Sequence, residues 1–273
     1  VKEVTRECSS SSLYMRNKCI QHTMLIYVQS CSVPGYRLSS HLAQMSCVTC
    51  LEDGAYFACE CSRFHVDCLS NFLLRNGNRG ECTICYSRFD RSMLADATEI
   101  AFTRTRNVFG PTHGTTTVQK LELATALAVA GGAGEAKQLL REIIAAAPEP
   151  IWLVSVAKVE LARTLRDSGE PVAACRVLEG LVPCLARAAE RWAQHEHVEA
   201  CTLLGACYLD LGHLAMAEKK LFLAMDDHLH NENCSAKKVV TCMRHIANYY
   251  EARSEFVLAR DTYRVVLNIV EAE

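Results

Sequence analysis

From Val118 onward, apolar residues recur at three- and four-residue intervals, the spacing of one face of an α-helix. A longer period is laid over the short one. Ala124, Ala162, Gly205 and Ala247 are small, and each follows a large apolar residue: Leu123, Leu161, Leu204 and Ile246. Three positions on stand Leu127, Leu165, Tyr208 and Tyr250, and seven on stand Gly131, Gly169, Gly212 and Ser254. Twelve on are Ala136, Ala174, Ala217 and Ala259, sixteen on are Leu140, Leu178, Leu221 and Tyr263, and nineteen on are Ile143, Leu181, Ala224 and Val266. The pattern predicts four helical hairpins. The small anchor lets two helices cross closely, and the bulky residue three on fills the groove beside it. Glycine seven on takes a left-handed conformation and ends the first helix. The alanine twelve on allows close approach on the second helix, whose later large residues face the next hairpin. A single hairpin cannot bury these faces, so the hairpins must stack into a solenoid. The steps between anchors are 38, 43 and 42 residues. Pro183 is expected to kink or end the second helix of its hairpin.

The pattern changes upstream. Residues 91–110 read as a helix capped by Ser92, with Leu94, Ile100 and Ala101 as apolar positions and Gly110-Pro111 as the stop. Gly114 and the threonines after it read as a linker, so 91–117 is expected to be a connecting helix and linker. Residues 1–45 hold scattered Ser, Cys and Arg without a sustained period and read as a poorly ordered segment.

Between these stretches, in 46–90, no helical period dominates and cysteine spacing takes over. Cys47/Cys50, Cys59/Cys61, His65/Cys68 and Cys82/Cys85 form four consecutive pairs. Zinc takes four thiolate or imidazole donors in a tetrahedron, and a Cys-any-any-Cys knuckle turns both sulfurs to one side of the ion. Four pairs make two sites. The interleaved arrangement gives Cys47, Cys50, His65 and Cys68 to one ion and Cys59, Cys61, Cys82 and Cys85 to the other. Spacing alone also allows a sequential arrangement, although the one-residue gap between Cys59 and Cys61 suits a strand turn better than a knuckle. Buried thiols without metal account for single cysteines but not for such a row of pairs. Every ligand has a partner set, which speaks for structural rather than catalytic zinc.

Composition narrows the classes further. The chain has 273 residues, half of them hydrophobic, and a net charge of -2, which gives no general pull toward nucleic acid or an anionic membrane. No apolar run reaches the roughly 20 residues that cross a bilayer. Sixteen cysteines with seven in one finger fit a reducing compartment, the cytoplasm or the nucleus, better than a disulfide framework. Cys175, Cys184, Cys201, Cys207, Cys234 and Cys242 read as small buried hydrophobes. His195 and His197 flank Glu196 and read as a surface cluster. No phosphate loop, dinucleotide fingerprint or nucleophile-base set is present, so no catalytic residue is assigned.

Two resemblances follow from these residues. Phe64, His65, Cys68, Leu69, Phe72 and Leu73 match, by position, the centre of RING fingers over about residues 46–89, and Cys61 stands where many members have histidine. Thr83 and Tyr86 depart from the proline and the basic residue usual in that family. The resemblance implies a finger that holds a ubiquitin-conjugating enzyme beside a substrate, docking through Val48, Phe72 and Ile84, and raises effective concentration without a covalent intermediate. A plant homeodomain finger has the same ligand order but carries an aromatic where this chain has Gly80. The repeat series resembles the tetratricopeptide repeat, best at Leu204-Gly205, Tyr208, Gly212, Ala217 and Ala224, with Pro148 where such a repeat often closes. The usual length is about 34 residues, and the longer steps here are similar to the extended repeats of kinesin light chains. This resemblance implies a concave face lined by first helices that binds peptides, with Arg163, Arg166, Thr202, Arg244 and Asn248 placed toward it.

The expected architecture is therefore mainly α: a small cross-braced two-zinc RING-like finger followed by an α-solenoid of about four tetratricopeptide-like hairpins over 118–273. The expected role is a zinc-binding ubiquitin ligase or ligase subunit, with protein partners for both parts. The alternatives are a non-catalytic scaffold with a structural zinc finger and, behind it, a histone reader.

Overall fold

The computed structural model describes residues 56–58, 63–76, 82, 87–146, 151–230 and 235–272. The expected N-terminal segment 1–45 lies outside them. The described residues form two short strands, β1 (Tyr56–Phe57) and β2 (Arg63–Phe64), and ten helices. The helices are α1 (Val66–Asn76), α2 (Arg91–Phe109), α3 (Gly114–Ala130), α4 (Ala133–Ala146), α5 (Ile151–Asp167), α6 (Pro171–Arg187), α7 (Arg191–Asp210), α8 (Leu214–His230), α9 (Ala236–Ala252) and α10 (Phe256–Ala272). The chain divides into two compact units, Ser39–Cys184 and Leu185–Glu273, the latter grouped with 1–38.

In the first unit β1 and β2 pair antiparallel, Tyr56 opposite Phe64, and lead into α1. Ala58, Phe64, Leu69, Leu73, Cys82 and Phe89 make a small core that Met93 and Ala97 of α2 complete. The rings of Phe64, Phe72 and Phe89 meet at 5.4–6.0 Å, tilted or edge to face. The backbone N–H of Asp90 donates to the Ala58 carbonyl at 2.6 Å. Arg104 of α2 donates to Asp67 and Asn71 of α1, both at 2.8 Å. The expected connecting helix is thus also a wall of this small core. Its cap is Asp90 rather than Ser92: the Asp90 carboxylate accepts from the N–H groups of Ser92 at 3.1 Å and Met93 at 3.0 Å. A carboxylate just ahead of the helix reaches two of the orphan donors of the first turn, which a hydroxyl inside the helix cannot.

The threonine run expected as a linker forms the first turn of α3. His113 caps it through Nδ1, which accepts from the Thr115 N–H at 3.2 Å. The Thr116 and Thr117 hydroxyls donate to the carbonyls of Gly110 and His113, so β-branched polar residues enter a buried helix start with their donors satisfied.

Each hairpin turn is built alike. Gly131, Gly169 and Gly212 take φ of +99°, +78° and +74°, and Ser254 takes +60°. One residue further on, the N–H of Gly132, Glu170, His213 or Glu255 donates to the carbonyl of Leu127, Leu165, Tyr208 or Tyr250 at 2.8–2.9 Å. This is the six-to-one bond of a helix stop, and its acceptor is in every case the bulky residue three past the anchor. The anchors Ala124, Ala162 and Ala247 are fully buried, as are Ala136, Ala174 and Ala217. At Gly205 the helices come close: a β-carbon there would sit 2.7 Å from Leu221 Cγ of α8.

Two expectations need adjusting: α6 does not end at Pro183, and one cysteine read as buried is exposed. Pro183 lies inside α6, four residues before its end. It is exposed, near the end of the helix. Cys184 beside it is exposed too, whereas Cys175, Cys201, Cys207 and Cys242 are buried as expected and Cys234 lies outside the described residues. No described helix is long and apolar enough to cross a membrane.

Candidate interaction surfaces

First helices lie side by side within each unit: α3 against α5 in one, α7 against α9 in the other. In the first unit Glu122 of α3 and Glu160 of α5 occupy the same repeat position, two before the anchor. Burial, and then the charge of Glu160, lifts the Glu122 carboxyl to about 7. Glu160 is paired with Arg163 at 3.5 Å. The surface therefore holds two acids close enough to repel, one of them paired with Arg163.

In the second unit Lys238 of α9 reaches across to α7, donating to Glu199 Oε2 at 2.6 Å and meeting His195 Nε2 at 2.5 Å. Burial and the Lys238 charge lower the His195 pKa. Behind them His228 of α8 is buried, and its pKa falls to about 4, first from burial and then from Lys238. His195 and His197 have different bonding partners, although both line one surface cleft together with Glu196.

His197 belongs to a row reminiscent of a nucleophile set. Its Nε2 lies 3.6 Å from Cys201 Sγ and its Nδ1 lies 3.6 Å from Asp227 Oδ2. The row lacks the access that catalysis needs. Cys201 is fully buried, and burial pushes its thiol to about 11, so it stays protonated and out of reach. A cleft of about 940 Å³ beside it is lined by Arg191, Trp192, His195, His197 and Asp227.

With this geometry in place, comparison with solved structures is informative. A kinesin light chain-like protein of Podosopora anserina with nearly identical TPR-like repeats superposes with a TM-score of 0.50 and 17% identity, covering 74% of this chain and 91% of that one. A single-substitution variant of that protein gives a TM-score of 0.51 at the same identity and coverage. The fold is a tetratricopeptide-like solenoid. At this identity the likeness speaks to the solenoid's fold alone. No family model and no curated protein matches the chain.

The solenoid places the expected groove residues unevenly. Arg163 and Arg166 are half-buried on α5, and Arg163 is engaged with Glu160. Thr202 is buried and donates to the Val198 carbonyl of its own helix at 2.9 Å, so it offers nothing to a ligand. Arg244 and Asn248 are exposed on α9, and Asn248 Oδ1 accepts from the Tyr263 hydroxyl at 2.6 Å. The repeat register held a signal for the acid pair, since Glu122 and Glu160 share one slot. The links from Lys238 to α7 had none, because its spacing from His195 belongs to no helical period.

Of the expected zinc ligands, His65 and Cys68 stand together at the start of α1, and Cys82 is buried in the small core beside α1 with its N–H donating to the Ser87 carbonyl at 2.9 Å. Cys47, Cys50, Cys59, Cys61 and Cys85 lie outside the described residues, as do Val48 and Ile84 of the expected docking surface. Among the described residues no trio of His, Cys, Asp or Glu is placed around a metal position. Phe72 is half-buried, its ring against Phe64 and Phe89. It is a core residue with one exposed side.

Proposed function

We propose that this chain is a protein-interaction scaffold whose solenoid grips a protein partner along its first helices. One observation carries the reading: α3 and α5 lie side by side and present Glu122, Glu160, Arg163 and Arg166 from equivalent faces. Charged side chains held half-buried in a shallow surface give orientation, and stacked helices give the rigid backing that makes binding specific. The test is selection of binders from a displayed peptide library on the whole chain. Peptides that lose about tenfold or more in affinity against Glu160→Lys, but not against Arg176→Glu on a second helix, support the reading. Peptides indifferent to Glu160→Lys overturn it.

The finer reading adds a zinc-held finger at 46–90. The described part fits such a finger: a short hairpin runs into a helix whose start carries an imidazole and a thiol three residues apart, beside a dry core that includes Cys82. Cys47, Cys50, His65 and Cys68 would hold one ion and Cys59, Cys61, Cys82 and Cys85 the other. Zinc there supplies folding energy, about 10–16 kcal/mol per structural site, rather than reaction chemistry. Elemental analysis should return two zinc ions per chain, and chelation should abolish protection of the α1 amides. A ubiquitin ligase is the second reading, favoured by the exposed side of Phe72 on that helix. Discharge of ubiquitin from a conjugating enzyme, lost in Val48→Ala, would support it, and silence across a panel of such enzymes with zinc bound would leave the scaffold reading alone.

A further inference from the structure

The repeat register pairs each position of α10 with one of α8. Tyr263, Leu267 and Val270 correspond to Leu221, Met225 and His228. On α8 those three residues are 0%, 0% and 5% exposed, and α9 packs against that helix. On α10 Leu267 is 57% exposed and Val270 54%, Tyr263 is half-buried, and no described residue covers their outer side. Phe256, 65% exposed, extends the row by two turns, so 256, 263, 267 and 270 share one face. On this face Leu267 and Val270 are therefore exposed where their counterparts on α8, which packs on both α7 and α9, are buried.

A helix that covers it must bring its own row of apolar side chains. In the unit Leu185–Glu273, the described large apolar residues that stand exposed are Met216 and Leu223 on α8 and four on α10. Helix α10 carries four of these six, and its row can answer itself. We propose that two copies of this chain associate through α10, antiparallel about a twofold axis, each α10 taking on the other the place that α9 takes on α8.

A twofold contact needs a self-complementary patch. With the axis between Tyr263 and Leu267, each Leu267 lies on the Tyr263 ring of the other copy. At the edge of the row, Arg260 of each helix then comes beside Glu271 of the other. Within one helix these two are eleven residues apart, about 16 Å at 1.5 Å per residue, and make no direct contact. One helix pair is small beside the roughly 1,200–2,000 Å² of stable interfaces, so the association depends on concentration.

Sedimentation equilibrium of the whole chain over a wide concentration range tests the proposal. A monomer–dimer equilibrium is expected, with Leu267→Glu weakening it about tenfold or more and Val257→Glu, exposed but off the row, leaving it unchanged. Arg260→Glu and Glu271→Lys should each weaken the dimer, and the chain carrying both should recover it. Recovery requires contact between copies and does not depend on whether Leu267→Glu folds well. A chain monomeric at every concentration overturns the proposal and leaves the face to a different protein or a further hairpin. A dimer indifferent to both Leu267→Glu and the charge exchange also overturns it, by placing the contact elsewhere.

Discussion

Single atoms decide how closely the hairpins close. Gly205 leaves no room for a β-carbon, and the Leu221 side chain that meets it is itself fully buried and cannot swing away. Gly205→Ala should destabilise the unit Leu185–Glu273 by about 1–3 kcal/mol, the range for overpacking a filled core, as read from a urea midpoint. Ser254 shows the opposite fault. It does the work of Gly131, Gly169 and Gly212 with a side chain on a left-handed backbone. Ser254→Gly should stabilise by up to about 1 kcal/mol, because relief of the αL penalty of roughly 1–2 kcal/mol is partly offset by the greater freedom of glycine when unfolded.

Helices were legible where a residue's neighbours along the chain dictate its structure, and less so where tertiary contacts do. The stops of α3, α5, α7 and α9 could be read from Gly131, Gly169, Gly212 and Ser254, since a left-handed residue is a local requirement. The start of α3 could not. Thr115–Thr117 look like a linker by type, and it takes the Gly110 and His113 carbonyls to satisfy them inside a helix. The same contrast runs through the site. The Glu122/Glu160 pair was implicit in the repeat register, while the approach of Lys238 to Glu199 and His195 comes only from packing α9 on α7. For α2 the cap is the informative residue. Its carboxylate sits below the ordinary range, held there by the Ser92 hydroxyl and the Met93 N–H. Asp90→Ala should cost about 1 kcal/mol, visible as a lower melting temperature of the unit Ser39–Cys184 and faster amide exchange in the first turn of α2.

At the scale of the molecule the two units should answer pH in opposite senses. Glu122 is raised from 4.5 to about 7, so the folded form holds a proton that the unfolded form releases. Its contribution is complete below pH 4.5 and is lost as pH rises through 7. His228 is lowered from 6.5 to about 4, so the unfolded form holds the extra proton. Its contribution is complete above pH 6.5 and is lost as pH falls toward 4. A tenfold change in proton affinity is worth about 1.4 kcal/mol, so each contribution is at most about 3.5 kcal/mol and smaller after solvent screening of these incompletely buried groups. Hydrogen exchange followed unit by unit should show Ser39–Cys184 loosening toward alkaline pH and Leu185–Glu273 toward acid. Glu122→Gln should flatten the first trend and His228→Asn the second; slopes unchanged in those variants would assign the effects to other groups.

The double duty of α2 has a mechanical meaning. One side of this helix closes the core around Phe64 and Leu73, and the helix also packs on α3. Whatever the β1–α1 segment holds is then mounted on a bracket, at a set bearing to the first hairpin, instead of swinging on a tether. A few glycines inserted between Phe109 and Gly114 would turn that bracket into a leash, and any task that needs both cargoes aligned should fail while each is still bound.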